Sequence, residues 1–309
     1  MKSKVKNLLA QMPYLRFLHD EINKLKSQVK TYQTNMMFPP GHYYSPVNSV
    51  EQIKKEEHRI WKQDLPDAIS GIDLNLNEQL ELIAHLSKFY SQMPFRAGPQ
   101  KTLRYYFQNE YYLFTDGIIL YSMIRHFKPK RIIEVGSGFS SALMIDTNEQ
   151  FFDGAIQLEF IEPNPKRLYS IFNDKDRENV KVHEKLVQNI PISKFKELQA
   201  GDMLFIDSSH VAKTGSDLNF ILFEILPNLN KGVIIHFHDI FFPFEYPKQW
   251  VYAGRNWNEN YILRAYLMDT EAYKIILFAD YLHQKHPDSF ATMPLANKNT
   301  GGCLWLEKL

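Results

Sequence analysis

From residue 131 onward the chain alternates short apolar runs with helical patterns, and that alternation leaves few folds open. RIIEV at 131–135, LEFIE at 158–162, VKVHE at 180–184, DMLFID at 202–207 and GVIIHFHD at 232–239 are too apolar for strands with one face in water. Strands buried on both faces need helices above and below them. The stretches at 139–149, 165–175 and 215–226 are long enough to be crossover helices. The prediction is an α/β fold with a doubly wound, mostly parallel sheet. Two further runs, YKIILFA at 273–279 and GCLWLEK at 302–308, follow a helical stretch at 258–268 and are expected to close the sheet as a final hairpin. Seven strands result.

Upstream, Leu15, Leu18, Ile22, Leu25, Val29 and Tyr32 recur at alternating spacings of three and four, which predicts a helix after Pro13 with a heptad-like seam. The stripe has two readings: it packs on the protein's own body, or it makes a homo-oligomer with a second copy. MFPPGHYYSP at 37–46 excludes regular structure at its Pro-Pro-Gly run and reads as an ordered loop or lid. Helices are expected over 78–91 and 108–126. The organisation is then an N-terminal helix over 1–35, a helical and loop cap over 36–104, and the α/β domain over 105–309.

Lys and Arg total 36 against 35 Asp and Glu, a formal net charge of +1, which leaves no electrostatic footprint for nucleic acid. The one cysteine, Cys303, can make neither an internal disulfide nor a thiolate metal site, so a reducing, cytoplasmic setting is expected. Lys2, Lys4 and Lys6 precede only a short apolar stretch, Leu8 to Ala10, far shorter than the core of a signal peptide. The most apolar run, 232–244, is interrupted by His236, His238 and Asp239, so no integral membrane segment is expected.

The first strand leads into Glu134-Val135-Gly136-Ser137-Gly138-Phe139-Ser140-Ser141, a glycine turn that opens a helix. Two glycines let backbone approach a ligand, and the helix start offers free amides. Glu162 ends the next strand and is placed to bind a ribose diol. A dinucleotide site would have a third glycine where Ser141 stands. Glu134 suits an ammonium group better than a pyrophosphate. A ligand with an amino-acid tail and an adenosine is S-adenosylmethionine (SAM).

On these residues the chain resembles the class I SAM-dependent methyltransferases over roughly 105 to 309, which implies their Rossmann-like sheet. The resemblance implies that the segment from Glu134 through Gly136, Ser137 and Gly138 to Ser140 cradles the methionine portion. It places Glu162 on the ribose, Leu186 to Asn189 with Gln188 near the adenine, and Asp207 beside the reactive sulfur. FIDSSHVAKTGSDLNF at 205–220 and GVIIHFHDIFFPFEYP at 232–247 resemble a branch of bacterial enzymes associated with glycans and sugar-bearing natural products. Related sugar methyltransferases hold magnesium with acids at the matching strand ends; here His238 stands where an acid is common.

Independently of that resemblance, ligands of a doubly wound sheet bind beyond the carboxyl ends of its strands, where the strand order reverses. Asp207 and His210 follow the fourth strand, and His238 and Asp239 follow the fifth, so they are expected to converge. His210, His238 and Asp239 are candidates for catalysis; Asp207, His238 and Asp239 are candidate ligands of a divalent metal such as Mg. His236 is expected to be a core histidine, and Asp217 and Asn219 cap or surface groups. Phe241, Phe242, Phe244, Tyr246 and Trp250 are either a sugar-stacking wall or core. His42, Tyr44, Glu245 and Tyr246 are the candidate contacts of a small-molecule or glycan acceptor. The expected activity is methyl transfer to a sugar hydroxyl. A nicotinamide-dependent oxidoreductase and a non-catalytic scaffold of a glycan-assembly complex are the alternatives, and protection by S-adenosylhomocysteine or by NAD separates them.

Overall fold

A computed structural model describes residues 13–173 and 175–309. The short segment Leu8 to Ala10 and the lysines before it, within residues 1–12 of the expected N-terminal region, lie outside the described residues. Two compact units are present. One holds the described residues up to Gln63 together with Lys248–Asn256, and the other holds Asp64–Pro247 with Trp257–Leu309.

The large unit is built on the predicted sheet. Its strands are β1 (Arg131–Val135), β2 (Gln157–Ile161), β3 (Lys181–His183), β4 (Met203–Ile206), β5 (Ile234–Phe237), β6 (Tyr273–Phe278) and β7 (Leu304–Lys308), in the order β3-β2-β1-β4-β5-β7-β6. β1 to β5 run parallel. Chain order reverses between β1 and β4, the place where sheets of this kind bind their ligands. The last two strands do not simply append a hairpin to the edge. β7 inserts between β5 and β6, antiparallel to both, after a connection that carries α6 (Ala279–Lys285).

The helices follow the pattern with local corrections. α1 spans Pro13–Asn35, α2 Leu76–Leu86, α3 Phe114–Phe127, α4 Phe139–Phe152 and α5 Glu259–Leu267. α3 starts later than the expected 108 because Asn109 organises a turn ahead of it. Its Oδ1 accepts from the backbone of Tyr111 and Tyr112 at 3.0 and 2.7 Å, and its amide donates to the Tyr112 carbonyl at 2.8 Å. Every residue from Phe114 to Ile124 is buried, the polar Thr115, Asp116 and Ser122 included. The crossover at 215–226 is one turn of α-helix at Asp217–Phe220, then a π-turn at Ile221–Ile225. Pro227 follows and has no N–H with which to continue an α-helical ladder.

Residues 64–104 are part of the large unit, and Arg104 shows why. Its buried guanidinium reaches Asp146 at 2.7 Å, Glu149 at 2.8 Å and Asp176 at 2.5 Å. A cation buried among three carboxylates has its charge balanced on the spot, so this segment is tied to α4 rather than hinged on it.

In the small unit α1 presents its apolar seam to solvent: Ile22 is 48%, Leu25 55% and Val29 52% exposed. No described helix is long and apolar enough to cross a membrane.

Candidate active site

The pairing register lines up the site. Val135 of β1 is paired with Ile206 of β4, and Ile206 with Phe237 of β5, so the next residues, Gly136, Asp207 and His238, stand side by side at the strand ends. The Asp207 N–H donates to the Val135 carbonyl at 2.9 Å, and the His238 N–H to the Ile206 carbonyl at 3.0 Å.

The glycine turn divides its two glycines between two jobs. Gly136 has φ +87°, and a Cβ there would lie 1.7 Å from the Asp207 carbonyl oxygen. No side chain fits between β1 and β4 at this point. Gly138 is extended at φ 171°, and a Cβ would meet only the Arg167 side chain at 3.6 Å, so the space above it is open. Glu134 lies wholly buried, with the Ser140 hydroxyl donating to Oε1 at 2.5 Å and the Ser141 hydroxyl donating to Oε2. Burial pushes its carboxyl up to about 8, against the opposing effect of the two hydroxyls. Glu134 therefore braces the turn, and both its oxygens are already engaged where an ammonium contact was expected.

Around the turn, several buried polar atoms have no protein partner: the hydroxyls of Ser137 and Ser208, and Oε1 of Gln188, whose amide donates to the Gly215 carbonyl at 2.9 Å. Buried polar groups are rarely left unpaired unless a ligand or water completes them. They follow β1, β4 and β3. Glu162, half-buried at the end of β2, accepts from the Asn164 N–H at 2.8 Å through one oxygen. Arg167 lies over the Tyr111 ring at 3.9 Å, and Tyr111 stacks with Phe139 at the head of α4. Nothing in the sequence reading singled out Arg167 or Tyr111.

Next to this cradle, Asp207, His238 and Asp239 bring one ligand atom each within 4.8 Å of one another. His238 Nε2 lies 3.5 Å from Asp239 Oδ1. Its other nitrogen, Nδ1, is buried without a partner, and its ring packs against Tyr112 at 5.0 Å. His210 Nε2 faces the same pair of acids, 3.4 Å from Asp207 and 3.6 Å from Asp239. Its Nδ1 lies 2.7 Å from Oε2 of Glu259, the first residue of α5. The ring packs at a tilt against Trp257 at 4.3 Å, and the His210 carbonyl accepts from the Asn258 and Glu259 N–H groups at 3.2 Å. His210 and Asp239 both have φ +59°, which non-glycine residues adopt at a cost and which is common at functional sites.

These charges set one another. Burial disfavours the carboxylate of Asp207, yet His238 and His210 bring it down to about 2. Burial also opposes a charged His210, but the pull of Asp207 and Glu259 raises it well above the usual imidazole range. His238 is raised too, burial being outweighed by Asp239, Asp207 and Asp116. Burial keeps Asp239 and Glu259 above the usual carboxylate range despite the neighbouring histidines. In the free chain His210 is therefore an imidazolium held among acids.

The remaining expected residues fall as follows. His236 is buried between Phe205 at 3.9 Å and Trp305 at 4.5 Å, with both ring nitrogens unpartnered. Burial drives its pKa well down, so it is a neutral core histidine. Phe242, Phe244 and Tyr246 are core and not a stacking wall. The Tyr246 hydroxyl accepts from the Asn260 N–H at 3.2 Å, and Glu245 takes the Tyr261 hydroxyl at 2.5 Å. Trp250, His42 and Tyr44 belong to the small unit. There His42 stacks on Phe38 at 4.6 Å and its Nδ1 accepts from the Tyr44 N–H at 3.1 Å. Asp217 is neither cap nor free surface. Its carboxylate takes the Ser209 N–H at 2.9 Å and the Ser209 hydroxyl at 2.5 Å, fixing the loop between Asp207 and His210, while Ser216 caps the helix. Glu259 escaped the sequence reading because an acid opening a helix is ordinary there.

Residues 133–240 match the family described as a methyltransferase domain, a segment holding the glycine turn, Glu162, Gln188, Asp207, His210, His238 and Asp239. A protein of Archaeoglobus fulgidus, described as uncharacterized, is 29% identical over 192 residues, covering 59% of this chain and 85% of the relative. Among solved structures, an S-adenosylhomocysteine-bound methyltransferase of Podospora anserina has 16% identity and a TM-score of 0.42, over 89% of this chain and 99% of the other. An O-methyltransferase from Bacillus cereus, also with S-adenosylhomocysteine, has 11% identity and a TM-score of 0.39, over 84% and 100%. These two likenesses are remote. The domain match favours neither the nicotinamide-dependent nor the scaffold alternative. Residues 133–240, which match the methyltransferase-domain family, hold β1 to β5 and the glycine turn.

Proposed function

We propose that the chain transfers the methyl group of SAM to a hydroxyl of a sugar or glycan. The observation that carries this reading is His210, gripped on one side by Glu259 and presenting Nε2 to Asp207 and Asp239 at the switch point of the sheet.

The cofactor fits the residues present. Ser137, Ser208 and Gln188 offer unpaired polar atoms, Gly138 leaves room for a ligand beside α4's N-terminal amides, and Glu162 has an oxygen to spare for a diol. When bound, SAM supplies an electrophilic methyl on sulfur. A divalent cation fits as well: Asp207 and Asp239 offer hard oxygens and His238 an imidazole nitrogen. When bound, it would lower the pKa of a hydroxyl that touches it.

The chain's own residues do the rest. A sugar hydroxyl is a poor nucleophile at neutral pH and needs a base. Once it has given up its own proton, His210 Nε2 takes the proton of the hydroxyl, while Nδ1–H donates to Glu259 and keeps the ring in one orientation. Asp207 and Asp239 orient the acceptor oxygen. Glu245 of the large unit serves acceptor recognition in this reading, and a cytoplasmic setting suits the buried thiol of Cys303.

The test pairs calorimetry with turnover. Micromolar binding of S-adenosylhomocysteine, with tritium transfer from labelled SAM to members of a sugar panel, supports the proposal. Absence of cofactor binding in a folded, ligand-free chain sinks it. Cofactor binding with methyl transfer only to nitrogen or carboxylate acceptors removes the sugar hydroxyl from it.

A further inference from the structure

We propose that α1 pairs with α1 of a second copy as a parallel, in-register, two-stranded coiled coil. The apolar seam of α1 is exposed among the described residues. Leu15, Ile22 and Val29 fall at the a positions of a heptad and Leu18, Leu25 and Tyr32 at the d positions. From Leu18 to Tyr32 these side chains are 36% to 65% exposed. β-branched residues at a with leucine at d favour two parallel strands over higher oligomers.

Charge selects the occupant and its direction. Glu21 is at a g position and Lys26 at the e position five residues on. In a parallel, in-register pair, g of one helix faces that e of the other, so Glu21 meets Lys26 of the second copy, twice by symmetry. An antiparallel pair sets e against e, where His19 and Lys26 offer no acid. Within its own helix Glu21 makes only a loose contact with Lys24 at 3.5 Å, with both side chains well exposed. Arg16, Lys24 and Lys30 lie off the seam and leave the pair soluble. The seam spans fewer than three heptads, so the pairing is weak and depends on concentration.

Sedimentation equilibrium of the full chain over about 1 to 200 μM, where so short a seam associates, should show a monomer–dimer equilibrium. Ile22→Lys should leave a monomer with an unchanged melting temperature. Glu21→Lys turns two attractions into two repulsions and should weaken the dimer about tenfold, and Glu21→Lys with Lys26→Glu should restore it. Val29→Cys should cross-link on oxidation, since a residues meet their own counterparts only in register. A chain that is monomeric throughout overturns the proposal. So does a dimer indifferent to Ile22→Lys or to Glu21→Lys, or one that Val29→Cys fails to cross-link. A monomer that sediments with phosphatidylserine vesicles also overturns it and assigns the seam to a membrane surface.

Discussion

Glu259 holds His210 from behind: Oε2 of the one lies 2.7 Å from Nδ1 of the other, across forty-nine residues of sequence. Both side chains are buried, and the far side of the imidazole looks onto Asp207 and Asp239. A ring so held is fixed in tautomer and in direction, which is what a general base needs.

The charge state of that ring can be read by nitrogen-15 NMR of labelled histidine. His210 should be an imidazolium at neutral pH in the free chain and lose its proton only at alkaline pH, because its pKa is raised. Glu259→Gln should move the transition to lower pH. Since a base must be unprotonated, kcat/KM should climb as pH rises through the same value. His210→Ala should lower turnover by about 100-fold or more with S-adenosylhomocysteine affinity unchanged. Equal turnover in that variant removes His210 from the chemistry.

The two glycines of the turn should fail differently. Gly136→Ala drives a Cβ into the Asp207 backbone at a positive φ and should cost about 3 kcal/mol or more, read as lost folding or a large drop in melting temperature. Gly138→Phe should fold normally and lose S-adenosylhomocysteine binding in calorimetry. If the Gly138 variant binds as well as wild type, the cofactor lies elsewhere.

Glu134 should tilt the stability curve. Its native pKa, about 8, stands above the ordinary value of 4.5, so the folded chain holds a proton that the unfolded chain releases. Stability from this group is complete below pH about 4.5 and declines as pH rises toward 8. Urea unfolding of Glu134→Gln across that range should show a flatter profile than wild type. An identical slope in both proteins would contradict the protonated, buried carboxyl.

The mixed oxygen and nitrogen donors of Asp207, His238 and Asp239 favour manganese or zinc over magnesium. Calorimetric titration should rank them so, and Asp239→Asn should weaken the binding by a factor of at least about ten. Binding should also displace protons from His238, whose pKa is raised, so affinity should rise with pH. Full methyl transfer after exhaustive chelation would deny the ion a role.

The glycine turn and the five parallel strands were legible because each is written in a short stretch: apolar residues in a run, or glycines next to a serine-rich helix start. The convergence of Asp207, His210, His238 and Asp239 was legible for a related reason, since strand ends at a reversal of order must face one crevice. Glu259 was not, because its link to His210 is a matter of where α5 docks. The place of β7 was equally hidden, for a strand's neighbours are fixed by distant pairing and not by its own residues. The later start of α3 was hidden in one side chain, Asn109, whose hydrogen bonds favour a turn over a helix that the apolar pattern would have allowed.

The insertion of β7 sets a timetable for synthesis. β6 leaves the ribosome before β7, yet among the described residues its sheet partner is β7, which must first dock along β5. Until then β5 ends the growing sheet with an open row of amides and carbonyls, and β6 has nothing to pair with. The nascent chain is thus most vulnerable to strand exchange with its neighbours late in translation, after its glycine turn has already been assembled.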